Sequence, residues 1–192
     1  MADSYFLCQI CFWCSALAES AVIVANAYPS LPISKIILDN LLFGGDANQI
    51  RFTTMAAAGI ALAIAGSTLR AWCYRELGKY FTFEMSVARD HRLVTTGPYS
   101  IVRHPSYTGI VMTATSVFLL HASKGSWVRE SGLLDYISGK IGVGICALIT
   151  AIGPAALLVR MVAEDRAMRK QFGDKWDAWA ARVRYRIVPG IL

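Results

Sequence analysis

Four long apolar stretches alternate with shorter polar segments along the chain. A bilayer core about 30 Å thick needs about 20 helical residues, and shorter or tilted segments are tolerated. The stretch that begins at Tyr107 has only 14 residues up to Leu120, so we expect it to extend back to Pro105. The pattern predicts an all-α integral membrane protein with a bundle of about four transmembrane helices. The spans are predicted at residues 5–28, 52–73, 105–121 and 141–160.

Two of the predicted spans contain residues that are unusual in a transmembrane helix. Glu19 lies within the first span, where an ionisable residue is a candidate for function by default. We favour a carboxyl group that is protonated or held by a polar neighbour over a catalytic role. The fourth span contains Gly153-Pro154. A proline inside a helix removes one backbone hydrogen bond, so this pair permits a kink.

The composition agrees with a membrane protein, because hydrophobic residues make up 55% of the chain. The formal net charge is +6, and fourteen of the 19 Lys and Arg residues lie either in residues 70–107 or in the tail from Arg160. Lys and Arg concentrate in short cytoplasmic loops, so these two regions and both termini are predicted to face the cytosol. Topology therefore accounts for the basic surplus, and no nucleic-acid partner is predicted.

A single membrane domain over residues 1–192 is predicted, with cytosolic segments at 74–107 and 160–192. The sequence contains no internal repeat. The cysteines near the N-terminus follow a C-x2-C-x2-C spacing, but no second group of ligands accompanies them in the sequence. We interpret them as small apolar helix residues and predict no metal site. The oligomeric state is left open.

The first cytosolic segment is dense in residues that carry chemistry. Gly97-Pro98 predicts a turn, since proline presets its own φ and glycine tolerates any backbone conformation. His104 precedes a proline, which disfavours helical geometry at that histidine. Arg103, His104 and Tyr107 would thus project from a chain that is entering the bilayer. Two interpretations stay open here, a functional site and an interfacial anchor of aromatic and basic residues.

The C-terminal tail offers a second cluster. Arg160 and Glu164 are four residues apart on a predicted helix and share one face, and Asp165 adds a second carboxylate. The alternative interpretation is a surface ion pair worth a few tenths of a kcal/mol. Beyond Gly173, apolar residues recur every three or four positions, at Trp176, Trp179, Val183 and Ile187. This spacing predicts a helix that packs on the membrane or on the bundle. In the alternative interpretation, the aromatic face of this helix covers a lipid tail.

Six sequence blocks stand out over about residues 70–190. They are His91 to Val94, Gly97-Pro98-Tyr99, Arg103 to Gly109, Arg160, Glu164-Asp165 and Phe172-Gly173. Together these blocks resemble the isoprenylcysteine carboxyl methyltransferase family. Related phospholipid and small-molecule methyltransferases share the RHPxY block, which begins at Arg103, and the acidic pair. The HxLVT block, which begins at His91, and Ser106 favour the prenylcysteine branch.

The resemblance implies a pocket for S-adenosylmethionine at the cytosolic face of a multi-pass membrane protein, in the endoplasmic reticulum membrane if the source is a eukaryote. It implies transfer of a methyl group to the C-terminal carboxylate of prenylated cysteine in protein substrates, with membrane lipids around the enzyme. Arg160 would bind the substrate and, with Glu164, form the catalytic pair. The implied cofactor-binding residues are Glu84, His91, Arg92, Leu93, Val94, Tyr99, His104, Pro105, Ser106, Tyr107 and Glu164.

The sequence departs from the family pattern at two places, and two other functions stay open. Family members often carry Gln where Glu84 stands, and a longer acidic run where only Glu164-Asp165 is present. The nearest alternative is a phospholipid or lipid-amine N-methyltransferase of the same superfamily. The other is a non-catalytic membrane scaffold that keeps the fold.

Overall fold

The regular structure of the chain is helical. The computed structural model describes residues 2–78 and 92–191, and no strand occurs among them. The prediction of an all-α protein is therefore confirmed for this part of the chain. The helices are α1 (Ala2–Ala27), α2 (Pro32–Leu41), α3 (Thr54–Leu77), α4 (Pro105–Ala122), α5 (Trp127–Glu130), α6 (Ile137–Phe172) and α7 (Asp174–Arg182).

Three helices in the described part are long and apolar enough to cross a membrane. They contain the candidate spans Gln9–Ala27, Thr54–Leu77 and Ile137–Phe172, which correspond to the first, second and fourth predicted spans. Helix α4 coincides with the third prediction but has only 18 residues. At 1.5 Å per residue it is about 27 Å long, slightly less than the hydrocarbon core. The third predicted span, and with it the count of four, therefore stays a prediction.

Helix α6 extends well beyond the predicted span. It has 36 residues and contains Pro154 without ending there. A length of about 54 Å exceeds the bilayer core by roughly 24 Å, so a long portion of the helix projects from the apolar region. Arg169 and Lys170 occupy its last turn, where positive charge complements the helix dipole. Arg160, Glu164 and Asp165, which the sequence marked in the tail, lie in the C-terminal half of this helix.

The chain divides into two compact units. The first consists of Met1–Leu62 and Ala114–Ile152, and the second of Ala63–Thr113 and Gly153–Leu192.

In the first unit, the segment between the first two predicted spans is not a plain loop. It contains α2, which has Pro32 at its start, a position where the missing N–H costs nothing. The buried core beside it consists of Val22, Ala47 and Ile50. The indole Nε1 of Trp127 donates a hydrogen bond to the carbonyl of Leu41, at 2.8 Å. The hydrophobic pattern missed α2 because ten residues are too few for a span.

Glu19 has the structural role that we favoured. Its Oε2 accepts a hydrogen bond from the backbone N–H of Trp127, at 2.8 Å. Trp127 is the first residue of α5, and the first N–H groups of a helix have no partner within the helix. Glu19 supplies that partner from a distant part of the chain.

In the second unit, α3 and α4 approach each other at two glycines. A Cβ atom on Gly66 would lie 2.8 Å from the carbonyl oxygen of Gly109, and one on Gly109 would lie 2.7 Å from the carbonyl oxygen of Gly66. Any larger residue would push the two backbones apart. Small residues at such crossings allow close packing of membrane helices, and this contact positions the start of α4.

We expect Glu19→Ala to lower the thermal unfolding temperature of the purified protein, because the partly buried N–H of Trp127 loses its acceptor. The loss should be about 1–3 kcal/mol, measured by differential scanning fluorimetry in detergent. Glu19→Gln is the matched control, since the amide oxygen can still accept, and it should unfold close to the wild-type temperature. Equal unfolding temperatures for Glu19→Ala and wild type would contradict the role of Glu19.

Candidate active site

The residues that the sequence marked around His104 occupy the entry to α4. Gly97 has a φ of +57° and opens a short 3-10 turn at Gly97–Ser100, as the Gly97-Pro98 pair predicts. His104 lies just outside α4, and Pro105 is its first residue. The carbonyl of His104 accepts hydrogen bonds from the N–H groups of Tyr107 and Thr108, at 3.0 and 3.3 Å. The proline thus sets both the start of the helix and the position of the histidine.

The C-terminal tail holds this segment in place from the other side. The backbone N–H of His104 donates to the carbonyl of Arg186 at 2.7 Å, and that of Arg103 to the carbonyl of Tyr185 at 2.9 Å. The hydroxyl of Thr108 donates to the carbonyl of Ile187 at 2.6 Å. The backbone of residues 103–104 is therefore paired with the tail.

Asp165 is the charged centre of this region. Its carboxylate oxygens lie 3.1 Å from Nη1 of Arg103, 2.9 Å from Nε2 of His104 and 3.3 Å from Nε of Arg186. Only 10% of the Asp165 side chain is exposed. One buried carboxylate therefore joins α6 to the His104 segment and to the tail. The sequence had indicated Asp165 only as a second acid, and Arg186 carried no signal in any motif.

Glu164, the neighbouring acid, faces a different environment. Tyr107 donates a hydrogen bond from its hydroxyl to Oε2 of Glu164 at 2.7 Å, and Nδ1 of His104 lies 3.6 Å from the same oxygen. The Glu164 side chain is 31% exposed, three times as much as that of Asp165. Glu164 therefore has a surface that a ligand can reach, whereas Asp165 is used by the fold.

Arg160 completes the cluster. It precedes Glu164 by one turn of α6 and interacts with the side chain of Tyr107. The rings of Tyr107 and His104 are stacked, with centroids 5.3 Å apart and an angle of 13° between their planes. Four residues predicted from two distant segments, His104, Tyr107, Arg160 and Glu164, thus meet at one place. We refer to these four as the His104 cluster.

Two other predicted cofactor residues, Leu93 and Tyr99, take part in apolar packing. Both pack against the buried cluster that Trp176, Trp179 and Val183 form. The indole Nε1 of Trp179 donates to the carbonyl of Tyr99 at 3.2 Å. Burial raises the pKa of the Tyr99 phenol well above its ordinary value. Its hydroxyl is therefore neutral at physiological pH.

The remaining predicted cofactor-binding residues differ in their burial. Pro105 is fully buried, Val94 and Ser106 are half-buried, and Arg92 is exposed. Glu84 and His91 lie outside the described residues.

The apolar stripe of the tail forms a shorter helix than its spacing suggests. Helix α7 ends at Arg182, so Val183 and Ile187 lie beyond it. The reason is that residues 185–187 use their carbonyl groups to pair with the His104 segment, which a helix would prevent. Trp176 and Trp179 are buried, so these residues of the stripe pack within their own unit.

The His104 cluster has groups that suit the cationic parts of a sulfonium-bearing amino acid. A carboxylate such as that of Glu164 suits an ammonium group, and the faces of the stacked Tyr107 and His104 rings attract a cation. These groups lie together and Glu164 is partly exposed, so they fit S-adenosylmethionine. The guanidinium of Arg160 is then left for the carboxylate of a second ligand.

Comparison with known proteins points in the same direction. A sequence model of the isoprenylcysteine carboxyl methyltransferase (ICMT) family matches residues 58–129. This range contains His104 and Tyr107 but neither Arg160 nor Glu164. Protein-S-isoprenylcysteine O-methyltransferase B of Arabidopsis thaliana is 26% identical over 132 residues, which cover 65% of this chain and 55% of the plant protein. The match to the ICMT family confirms the resemblance drawn from the motif blocks.

A second relative has a different activity in its name. Delta(14)-sterol reductase of Neurospora crassa is 28% identical over 127 residues, which cover 59% of this chain and 26% of the fungal protein. The chain thus spans about half the length of the plant relative and about a quarter of the fungal one. No solved structure matches the chain.

We expect Asp165→Asn to destabilise the protein strongly, because three basic side chains lose a buried counter-charge. Breaking a buried ion pair costs about 3–5 kcal/mol, which corresponds to a fall of roughly 10 °C in the unfolding temperature. Glu164→Gln is the matched control on the adjacent residue, and it should unfold close to wild type because Glu164 is partly exposed. A similar small shift for both variants would show that Asp165 does not hold the region together.

Proposed function

We propose that this chain, a relative of the isoprenylcysteine carboxyl methyltransferase family, transfers a methyl group from S-adenosylmethionine to the C-terminal carboxylate of a prenylated cysteine. The observation that carries this proposal is the His104 cluster. It brings a partly exposed carboxylate and a guanidinium of α6 together with two stacked rings from the start of α4.

The residues of the cluster would divide the recognition of the cofactor between them. Glu164 would accept hydrogen bonds from the ammonium group, and the stacked faces of His104 and Tyr107 would lie against the sulfonium. Tyr107 already orients Glu164 through its hydroxyl. When bound, S-adenosylmethionine would supply a methyl group that its sulfonium has already activated for displacement.

The nucleophile needs orientation more than activation. A C-terminal carboxylate is ionised at neutral pH, so no general base is required. Arg160 would hold that carboxylate through its planar guanidinium, and Glu164, one turn away, would steer Arg160. A very tight ion pair would make the carboxylate less reactive, so we assign Arg160 to positioning. Holding the two reactants in line and excluding water would lower the barrier by several kcal/mol.

A membrane location follows from the substrate that we propose. Moving a prenyl chain into water costs about 0.8 kcal/mol per CH2 group. A helical protein with several apolar spans lets the chain stay in lipid while the carboxylate reaches the polar cluster. We propose that the cluster faces the cytosol, because the basic residues concentrate on the same segments, and that a eukaryotic source would carry it in the endoplasmic reticulum.

The fungal relative supports a second candidate, a reductase that acts on a lipid double bond. Such an enzyme needs a hydride donor such as a nicotinamide dinucleotide, which carries several phosphate charges. The exposed carboxylate of Glu164 would repel those phosphates but attract the cationic groups of S-adenosylmethionine. A lipid-amine N-methyltransferase is the third candidate, and there Arg160 would repel an ammonium substrate. The cluster therefore favours the first candidate.

Cofactor binding is the first test. By calorimetry with the full chain in nanodiscs, S-adenosylmethionine should bind to wild type, and His104→Ala and Glu164→Gln should each weaken binding about ten-fold or more. The control is Arg166→Ala, which alters an exposed residue of the same helix and should bind normally. Binding of NADPH in preference to S-adenosylmethionine would favour the reductase, and binding of neither would favour a scaffold.

Substrate choice is the second test, with N-acetyl-S-farnesylcysteine as acceptor and labelled methyl donor. Arg160→Ala should raise the KM for this acceptor about ten-fold and leave the affinity for S-adenosylmethionine nearly unchanged. Arg160→Lys should recover part of the loss, since it keeps the charge without the planar fork. If Arg160→Ala leaves KM and kcat intact, or if phosphatidylethanolamine is the better acceptor, the proposed substrate is wrong.

A further inference from the structure

The first unit contains a large cavity that takes no part in the His104 cluster. It has a volume of about 1020 Å³ and lies among α1, α4, α6 and the residues around α5. Sites for small molecules usually have volumes of about 300–1,000 Å³, so this cavity is at the upper end. Two of its walls, α1 and α6, are candidate membrane spans. A ligand would therefore enter from the bilayer.

The lining is largely apolar, and its polar residues are Ser15, His121, Arg129, Ser138 and Thr150. Of these, Ser15 and His121 contact each other. The hydroxyl of Ser15 lies 2.8 Å from Nε2 of His121 and 2.9 Å from the carbonyl of Phe12. Nδ1 of His121 lies 2.9 Å from the carbonyl of Val117. The two residues are 106 positions apart in the sequence, and their contact joins α1 to α4.

The Ser15 hydroxyl has one proton and two acceptors within reach, Nε2 of His121 and the carbonyl of Phe12. When Nδ1 of a neutral His121 donates to Val117, Nε2 is an acceptor. If the hydroxyl then donates to Phe12, Nε2 of His121 and the oxygen of Ser15 both keep lone pairs. A ligand with one uncharged donor can bind to them.

We propose that this cavity binds a sterol-sized lipid alcohol, with its hydroxyl donating a hydrogen bond to the Ser15–His121 pair. The volume decides the size of the ligand. One water molecule, which has a single non-hydrogen atom, occupies about 30 Å³ in the liquid, and on that scale a cavity of about 1020 Å³ holds roughly thirty atoms. That is the size of a fused-ring lipid alcohol and more than a single acyl or farnesyl chain fills. The proposal does not depend on methyl transfer by the His104 cluster.

Two glycines of α6 provide a matched pair of variants. Gly142 lines the cavity and Gly144 does not, and a Cβ atom on either would have no neighbour within 4 Å. The Cβ atom of a leucine at either position thus meets open space, and both variants add the same apolar side chain to the same helix. Only Gly142→Leu would occupy space inside the cavity.

The experiment uses photolabelling of the full chain in phosphatidylcholine nanodiscs without a methyl donor. The probe is a cholesterol analogue with a diazirine and an alkyne, and labelled peptides are mapped by mass spectrometry. We expect labels within residues 11–18 and 138–150, competed by unlabelled cholesterol. Gly142→Leu should lower the labelling roughly ten-fold relative to Gly144→Leu, as expected when a bound apolar group is displaced.

The head group is tested with the 3-methyl ether of the same probe, which cannot donate a hydrogen bond. Wild type should label the free alcohol more strongly than the ether, and His121→Phe should lose that preference while keeping an aromatic ring. No label in these segments, equal labelling of the two glycine variants, or stronger labelling by a diazirine-bearing palmityl phosphatidylcholine would overturn the proposal. Because no methyl donor is present, each result is independent of the cofactor and substrate assays.

Discussion

One buried carboxylate, that of Asp165, is the constraint on which the polar half of this protein depends. A buried charge is costly unless it is paired, and Asp165 is paired with Arg103, His104 and Arg186. These residues come from three separate segments. Satisfying one charge therefore fixes where the His104 segment, α6 and the tail lie relative to one another. The backbone hydrogen bonds between residues 103–104 and 185–186 extend the same connection.

The two adjacent acids of α6 show how a helix separates structure from chemistry. Consecutive residues on a helix point about 100° apart, so Glu164 and Asp165 meet different surroundings. Asp165 is buried among basic groups, while Glu164 is partly exposed beside Tyr107 and His104. The ion pairs of Asp165 fix this part of α6, and Glu164 is held in place with it. The carboxylate of Glu164 can therefore face a ligand with the hydrogen bond from Tyr107 as its main support.

The two compact units carry different kinds of chemistry. The second has charged and aromatic residues at the end of a span, which suits recognition of an ionic cofactor and a carboxylate. The first has a largely apolar cavity in which Ser15 and His121 contact each other, which suits a lipid. In both units, glycines or prolines set the local geometry, as at Pro32 in the first and at Gly66, Gly109 and Pro105 in the second.

The sequence by itself determined the features that depend on local pattern and sterics. Apolar length predicted α1, α3 and α6, the Gly97-Pro98 pair predicted a turn, and the helical spacing of Arg160 and Glu164 placed them on one face. Only the tertiary structure decided which acid is buried, that Arg186 is its partner, that Glu19 binds the N–H of Trp127, and that Ser15 meets His121. The physical reason is that burial and ion pairing arise between segments 20 to more than 100 residues apart, and no local periodicity records such contacts.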